Sequence, residues 1–139
     1  MANAKPAHHA QRPRLRLEVL PDSLAICRLA PRAPLPRWAA KRTPFLTITR
    51  TSEELSITAV QAAIPSEVPC QRDYRAFRVQ GPLPLNLVGV LAAIAGPLAD
   101  AGLSIFAISS FETDYVLVRA SDVQAAVLAL ERAGHHVRR

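Results

Sequence analysis

Aromatic side chains are scarce in this chain: one tryptophan, two tyrosines and four phenylalanines among 139 residues. Core packing must therefore lean on Leu, Val, Ile and Ala. Cysteine is nearly absent. Cys27 and Cys70 show no CxxC spacing, and two isolated cysteines read as free thiols in a reducing cytosol. No apolar run reaches the about 20 residues that a membrane-spanning helix requires. The longest weakly polar stretch, "LVGVLAAIAGPLA" (87–99), is interrupted by Gly-Pro and closed by Asp100, so it reads as a core helix. The N-terminal "MANAKPAHHAQRPR" has basic residues with no apolar run behind them and does not read as a secretory signal. Negative charge is missing from one long segment: no acid lies between Asp22 and Glu53, whereas Arg28, Arg32, Arg37, Lys41, Arg42 and Arg50 do.

What is present suits one compact unit, or two very small interlocked ones. Residues 1–13 read as a disordered basic tail, 14–70 as a first half and 71–139 as a second. In the first half, "LRLEVL" (15–20) alternates as a half-buried strand does, "LAICRL" (24–29) is a second strand, and "FLTITR" (45–50) with "ELSITA" (54–59) forms a hairpin. The four prolines of "PRAPLPRWAAKRTP" (31–44) allow at most one helical turn around Trp38, which reads as a core plug beneath the loop. Residues 65–73 read as a connector.

The second half is more regular. "YRAFRVQ" (74–80) is a strand. Leu87, Leu91, Ile94 and Leu98 mark a helix over 85–101, with Pro97 inside it and Gly102 as its stop. "LSIFAIS" (103–109) is apolar on both faces, the pattern of a strand covered on two sides. "YVLVRA" (115–120) follows, then a helix opened by a Ser121–Gln124 capping box, then a short strand in "HHVRR". The order β-α-β-β-α-β predicts an α+β, ferredoxin-like sandwich.

That topology brings the loop 81–86, the start of the first helix and the turn "SSFETD" (109–114) to one edge of the sheet. A helix start supplies free backbone N–H groups and partial positive charge. The turn supplies Asp114, Glu112 and hydroxyls. Such an edge suits a small zwitterion, with its carboxylate on the helix and its ammonium on Asp114.

Other chemistry has less support. Glu112 and Asp114 lack a third orienting group, and Ser23, Ser56, Ser66, Ser104 and Ser109 have no GxSxG context, so no catalytic residue is expected. His8-His9 and His135-His136 are adjacent pairs. On a strand such neighbours face opposite sides, so no metal site is expected, nor any cofactor. The basic 28–50 segment offers one alternative, an RNA-binding ferredoxin-like module. The glycine and aromatic spacing of such modules is missing, however, with only Tyr115 in "DYVLVRA". Nucleic acid is therefore not the expected partner.

The stretch "VQGPLPLNLVGVLAAIAGPLADAGLSIFAISSFETDYVLVRASDVQAAVLALERAGHHV" resembles the C-terminal half of bacterial ACT-domain proteins related to the animal cytosolic arginine sensors. "LEVLPDSLAICRLAP", "PRWA" and "FLTITRTSEELSI" resemble the degenerate first ACT-like half of the same proteins, so the likeness spans about residues 15–137. It implies a tandem ACT-like, non-enzymatic, cytoplasmic regulatory protein that binds an amino acid between ACT units, with a homodimer as the expected assembly and no membrane partner. Carried over by motif position, Ser110, Phe111 and Asp114, with Ser109, fall at the turn, and Leu87, Val88 and Gly89, with Asn86, fall at the helix start. The arginine sensors have an acid in that helix-start segment where this chain reads "NLVG". A guanidinium would lack its counter-charge there, so the resemblance implies a ligand class and no particular ligand.

Overall fold

The computed structural model describes residues 12–139; all but Arg12 and Pro13 of the expected tail lies outside them. The elements run β1 (Arg16–Val19), β2 (Leu24–Leu29), β3 (Leu46–Arg50), β4 (Leu55–Val60), β5 (Cys70–Val79), α1 (Val90–Asp100), β6 (Phe106–Ser109), β7 (Asp114–Arg119), α2 (Val123–Arg132) and β8 (His136–Arg138), with 3-10 turns at Arg37–Ala39, Gln61–Ala63 and Ala120–Asp122. The result is an α+β, ferredoxin-type mixed sheet with two helices, as the element order predicts.

One long strand organises the molecule. Along one edge of β5 lie β2 (Cys27 opposite Cys70, Leu24 opposite Tyr74) and then β1 (Val19 opposite Phe77, Leu17 opposite Val79), both antiparallel to it. Along the other edge lies β7, which also pairs with β6. Outside β1 is β8, in parallel; outside β2 are β4 and then β3, antiparallel. β1, which belongs by sequence to the first half, thus sits between β5 and β8 in the sheet of the second.

Three packed clusters follow from the alternation of these strands. Leu17, Val19, Phe77, Val79, Val116 and Val118 meet Val90, Ile94 and Leu98 of α1 and Val127 and Leu130 of α2. In the N-terminal half, Ala25, Cys27, Leu55 and Ile57 are buried, with Trp38 half-buried against them as the loop reading predicts. Between the halves, Leu24, Phe45 and Val60 pack on Ala76 and Leu117.

Several sequence expectations change. The two cysteines are not free: Cys27 and Cys70 are direct cross-strand partners, 4.4 Å apart at Cα, and are bonded as a disulfide. Separation along the chain carries no information about strand register. The connector 65–73 gives way at Cys70 to β5, because Gln61 clamps Asp73 reciprocally, Nε2–H to Oδ1 at 3.1 Å and Asp73 N–H to Oε1 at 2.7 Å. Asp73 itself sits at φ 63° where the register to β2 shifts. α1 starts at Val90 rather than 85, since Leu87 N–H closes a turn on Pro84 and Gly89 takes φ 88°. The Ser121–Gln124 capping box is absent: Ala120–Asp122 form a 3-10 turn, and no side chain caps α2. β6 starts only at Phe106 and alternates between half-buried and exposed residues, so it is covered on one face and not two.

His135 is also not at a surface free to bind metal. It is buried, accepts Leu15 N–H at Nδ1 (3.0 Å) and donates Nε2–H to the Ala93 carbonyl (2.9 Å). His8 and His9 lie outside the described residues.

Candidate functional site

The turn between β6 and β7 and the entry to α1 enclose a cleft of about 470 Å³. The turn is built locally. Ser110 N–H donates to the Thr113 carbonyl at 2.9 Å, and Ser110 Oγ donates to the same carbonyl at 3.0 Å. It is then fastened to the end of β5: Thr113, buried, donates Oγ1–H to the Val79 carbonyl at 2.6 Å. Leu83 N–H reaches the Glu112 carbonyl at 2.7 Å. Gly81 permits this approach, because a Cβ there would stand 3.1 Å from the Glu112 carbonyl oxygen and 3.3 Å from Thr113 Cβ.

The opposite wall is the helix start. The first helical bond runs from Ala93 N–H to the Gly89 carbonyl at 2.9 Å, so Val90, Leu91 and Ala92 N–H have no helical acceptor. No side chain caps this end. Across the cleft, Ser109 Oγ donates to Asp114 Oδ1 at 2.5 Å, and Asp114 Oδ2 has no donor among the described residues. Donor amides and an acceptor carboxylate therefore face one space, whose remaining lining includes Leu83, Leu85, Leu87 and Leu91. Positive and negative groups held on opposite walls of an apolar cleft can orient a molecule that carries both charges.

Of the residues singled out by sequence, Ser109, Ser110, Phe111, Asp114, Leu87 and Gly89 line this cleft, while Asn86 and Val88 do not. Phe111 is 80% exposed and Leu85 74%, which makes an apolar rim; Val88, 76% exposed, lies outside the lining. Sequence reading missed Thr113. A threonine in a polar turn looks like turn chemistry, and only the pairing of β5 with β7 places its hydroxyl on Val79. At the helix start, Leu87 N–H is bonded to the Pro84 carbonyl at 3.0 Å and so is not among the free amides.

The face used for base stacking in RNA-recognition modules is partly covered here: Tyr115 meets Phe45 edge-on at 5.1 Å between centroids, and Tyr74 lies under Arg119 at 4.8 Å. Two arginines of the basic segment serve the fold itself. Arg28 pairs with Glu54 at 3.3 Å, and Arg50 donates to the Pro31 and Ala33 carbonyls. The RNA reading has no support in this arrangement.

Comparison with known families and structures agrees with the fold. Residues 70–132 match the model of the ACT domain. A crystal structure of a protein from Agobacterium tumefaciens is 35% identical over 90% of this chain and 92% of that one, with a TM-score of 0.83. This is an ACT-domain protein, of the same family as the Agobacterium protein. A further family model, for an N-terminal domain, matches residues 22–67, ahead of the ACT domain. A Vibrio cholerae protein described as of unknown function and a possible transport protein is 19% identical, with a TM-score of 0.70, over 86% of this chain and 89% of its own. The regulatory subunit of aspartate kinase from Thermus flavus is 18% identical, with a TM-score of 0.59, over 88% and 98% of the two chains. These last two likenesses concern the fold. No curated protein matches the chain. Among the described residues, no helix is long and apolar enough to cross a membrane.

Proposed function

We propose that this ACT-domain protein is a non-catalytic regulatory sensor that binds a free amino acid in the cleft between α1 and the 109–114 turn. One observation carries the reading: the unbonded amides of Val90–Ala92 and the open Oδ2 of Asp114 face the same 470 Å³ space. The ligand carboxylate sits at the helix start and its ammonium on Asp114, with Ser109, Ser110 and Phe111 on the turn wall and Leu87 and Gly89 opposite. The regulatory-subunit fold of the Thermus flavus structure is consistent with this role.

The finer parts of the proposal follow from the same cleft. The first half, 14–70, is a degenerate ACT-like unit beside the ACT unit of 71–139, in the manner of the tandem proteins related to the animal arginine sensors. A homodimer covers the exposed Leu85 and Phe111, so that the ligand lies near an ACT–ACT interface; the exposed Val88, and Asn86 beside it, would then face the partner copy. Ligand binding shifts the protein toward one arrangement of subunits, by as much as its affinities for the two arrangements differ.

A thermal-shift screen of the twenty amino acids tests this. A ligand at about 100 times its dissociation constant adds about 2.7 kcal/mol of stability. Asp114→Ala should abolish that shift while leaving the unliganded melting temperature close to wild type. No shift with any amino acid, or an unchanged shift in Asp114→Ala, would overturn the assignment.

A further inference from the structure

On the sheet face that carries no helix, β8, β1 and β5 bring six side chains into a grid of two rows. The register sets Arg16 beside His136 and Glu18 beside Arg138. It sets Glu18 beside Arg78 on the other flank, and Gln80 N–H bonds to the Arg16 carbonyl at 2.8 Å. One row therefore reads His136, Arg16, Gln80 and the other Arg138, Glu18, Arg78. All six line one recess of about 250 Å³. Elsewhere on this face Phe45 and Leu24 of the N-terminal half cover the sheet, and this strip is left open.

The charges in the recess do not balance. Three guanidiniums stand against one carboxylate, 3 − 1 = +2, counting the residues that line it. Glu18 has both oxygens engaged, Oε1 by Arg138 at 2.7 Å and Oε2 by Arg78 at 2.6 Å. That acid fixes the orientation of two guanidinium forks and neutralises one charge. Arg16 and the Gln80 amide have no side-chain partner among the described residues, and neither do the remaining N–H groups of the two forks.

We propose that this grid is a binding site for a dianionic oxyanion seated over Arg16, the phosphate group of a small phosphomonoester or phosphate itself. A planar guanidinium presents paired N–H donors that match phosphate oxygens, and an ion of charge −2 balances the recess, whereas a carboxylate leaves it positive. Arg78 and Gln80 also floor the space behind the Ser110–Thr113 turn, so the site backs onto the turn whose other side lines the amino-acid cleft. It does not depend on that cleft being occupied.

The test is calorimetric titration and thermal shift of the whole chain with inorganic phosphate, glycerol phosphate and a short single-stranded RNA, in chloride buffers of matched ionic strength. Either phosphate probe should bind. Tighter binding of glycerol phosphate identifies a phosphomonoester as the ligand, and tighter binding of inorganic phosphate identifies the free ion. Arg16→Gln should weaken binding about tenfold, as expected for loss of a charge-assisted bidentate contact. Arg132→Gln, which removes the same charge from α2, should leave affinity within about twofold. Melting in chloride reports whether Arg16→Gln folds; Arg138→Gln, on the short edge strand, gives a second reading with the same expected loss. Equal losses in Arg16→Gln and Arg132→Gln, no binding beyond chloride, or binding of the RNA alone would overturn the proposal.

Discussion

His135 donates its Nε2–H to the carbonyl of Ala93, and Ala93 is the residue four positions before Pro97. A proline has no N–H, so the carbonyl four residues earlier in a helix loses its donor. The side chain of His135, just before β8, supplies it. The same ring accepts Leu15 N–H at Nδ1, which ties the entry of β1 to the middle of α1 and holds the imidazole as its Nε2–H tautomer.

His135→Phe should therefore destabilise the protein by about 2–5 kcal/mol, because it leaves a buried carbonyl and a buried N–H unpaired. Pro97→Ala restores the helical donor and should recover part of that loss in the double variant. Denaturant melts of the four proteins measure the coupling; additive effects would show that the two residues act separately.

Thr113→Val removes the hydroxyl from the Val79 carbonyl at nearly constant volume, and the expected cost is about 1–2 kcal/mol. Thr113→Ser should retain most of the stability. If the turn positions Asp114, amino-acid affinity should fall in Thr113→Val more than in Thr113→Ser, as read by titration of each variant. Gly81→Ala, which presses on the Glu112 carbonyl, should act in the same direction.

Glu18 is held below the ordinary carboxylate range by the hydrogen bond from Arg138 first and then by Arg78, against an opposing effect of desolvation. A carboxylate with a depressed folded pKa contributes stability above its unfolded pKa of about 4.3 and loses it as pH falls through the folded value. The melting-temperature gap between wild type and Glu18→Gln should thus be open near neutral pH and close in acid. A gap that persists in acid would mean that the substitution destabilises for reasons unconnected with charge.

The disulfide closes a separation of 43 residues, for which chain-entropy reasoning gives roughly 4 kcal/mol. Cys27→Ser with Cys70→Ser should lower the denaturation midpoint accordingly, and reduction of the wild type by a dithiol should do the same. In a cytoplasm this bond would stand against a reducing thiol pool. Alkylation of free thiols at lysis reports its state in the cell: two blocked cysteines would mean a dithiol protein there, and none would mean that the bond persists.

Much of this architecture was legible because it is written in local periodicity. β2 falls on Leu24–Leu29, the strand-like run "LAICRL", and Trp38 packs beneath its proline-rich loop. The second half reads as β-α-β-β-α-β, and topology alone brought "SSFETD" opposite a helix start. What escaped depends on partners far along the chain. The charged "QRD" of 71–73 joins a strand because Gln61 clamps Asp73. Cys27 meets Cys70 because of register. Thr113 and His135 look like turn and surface residues until Val79, Leu15 and Ala93 are in place. The helix start was misplaced for a local reason: Leu87 sits at helical spacing, but Pro84 and Gly89 hold its neighbourhood in a turn.

The position of β1 has a practical consequence for anyone who treats the ACT segment as a portable module. A clone of residues 70–139 would omit the strand between β5 and β8 and strip Leu15, Leu17 and Val19 from the principal core. The three-residue β8 would have no neighbour in its native place, and β5 would display an open edge ready to recruit another chain. Fusions and truncations should therefore keep the segment from Arg14 onward, since the matched domain begins after the β1 residues that complete its core.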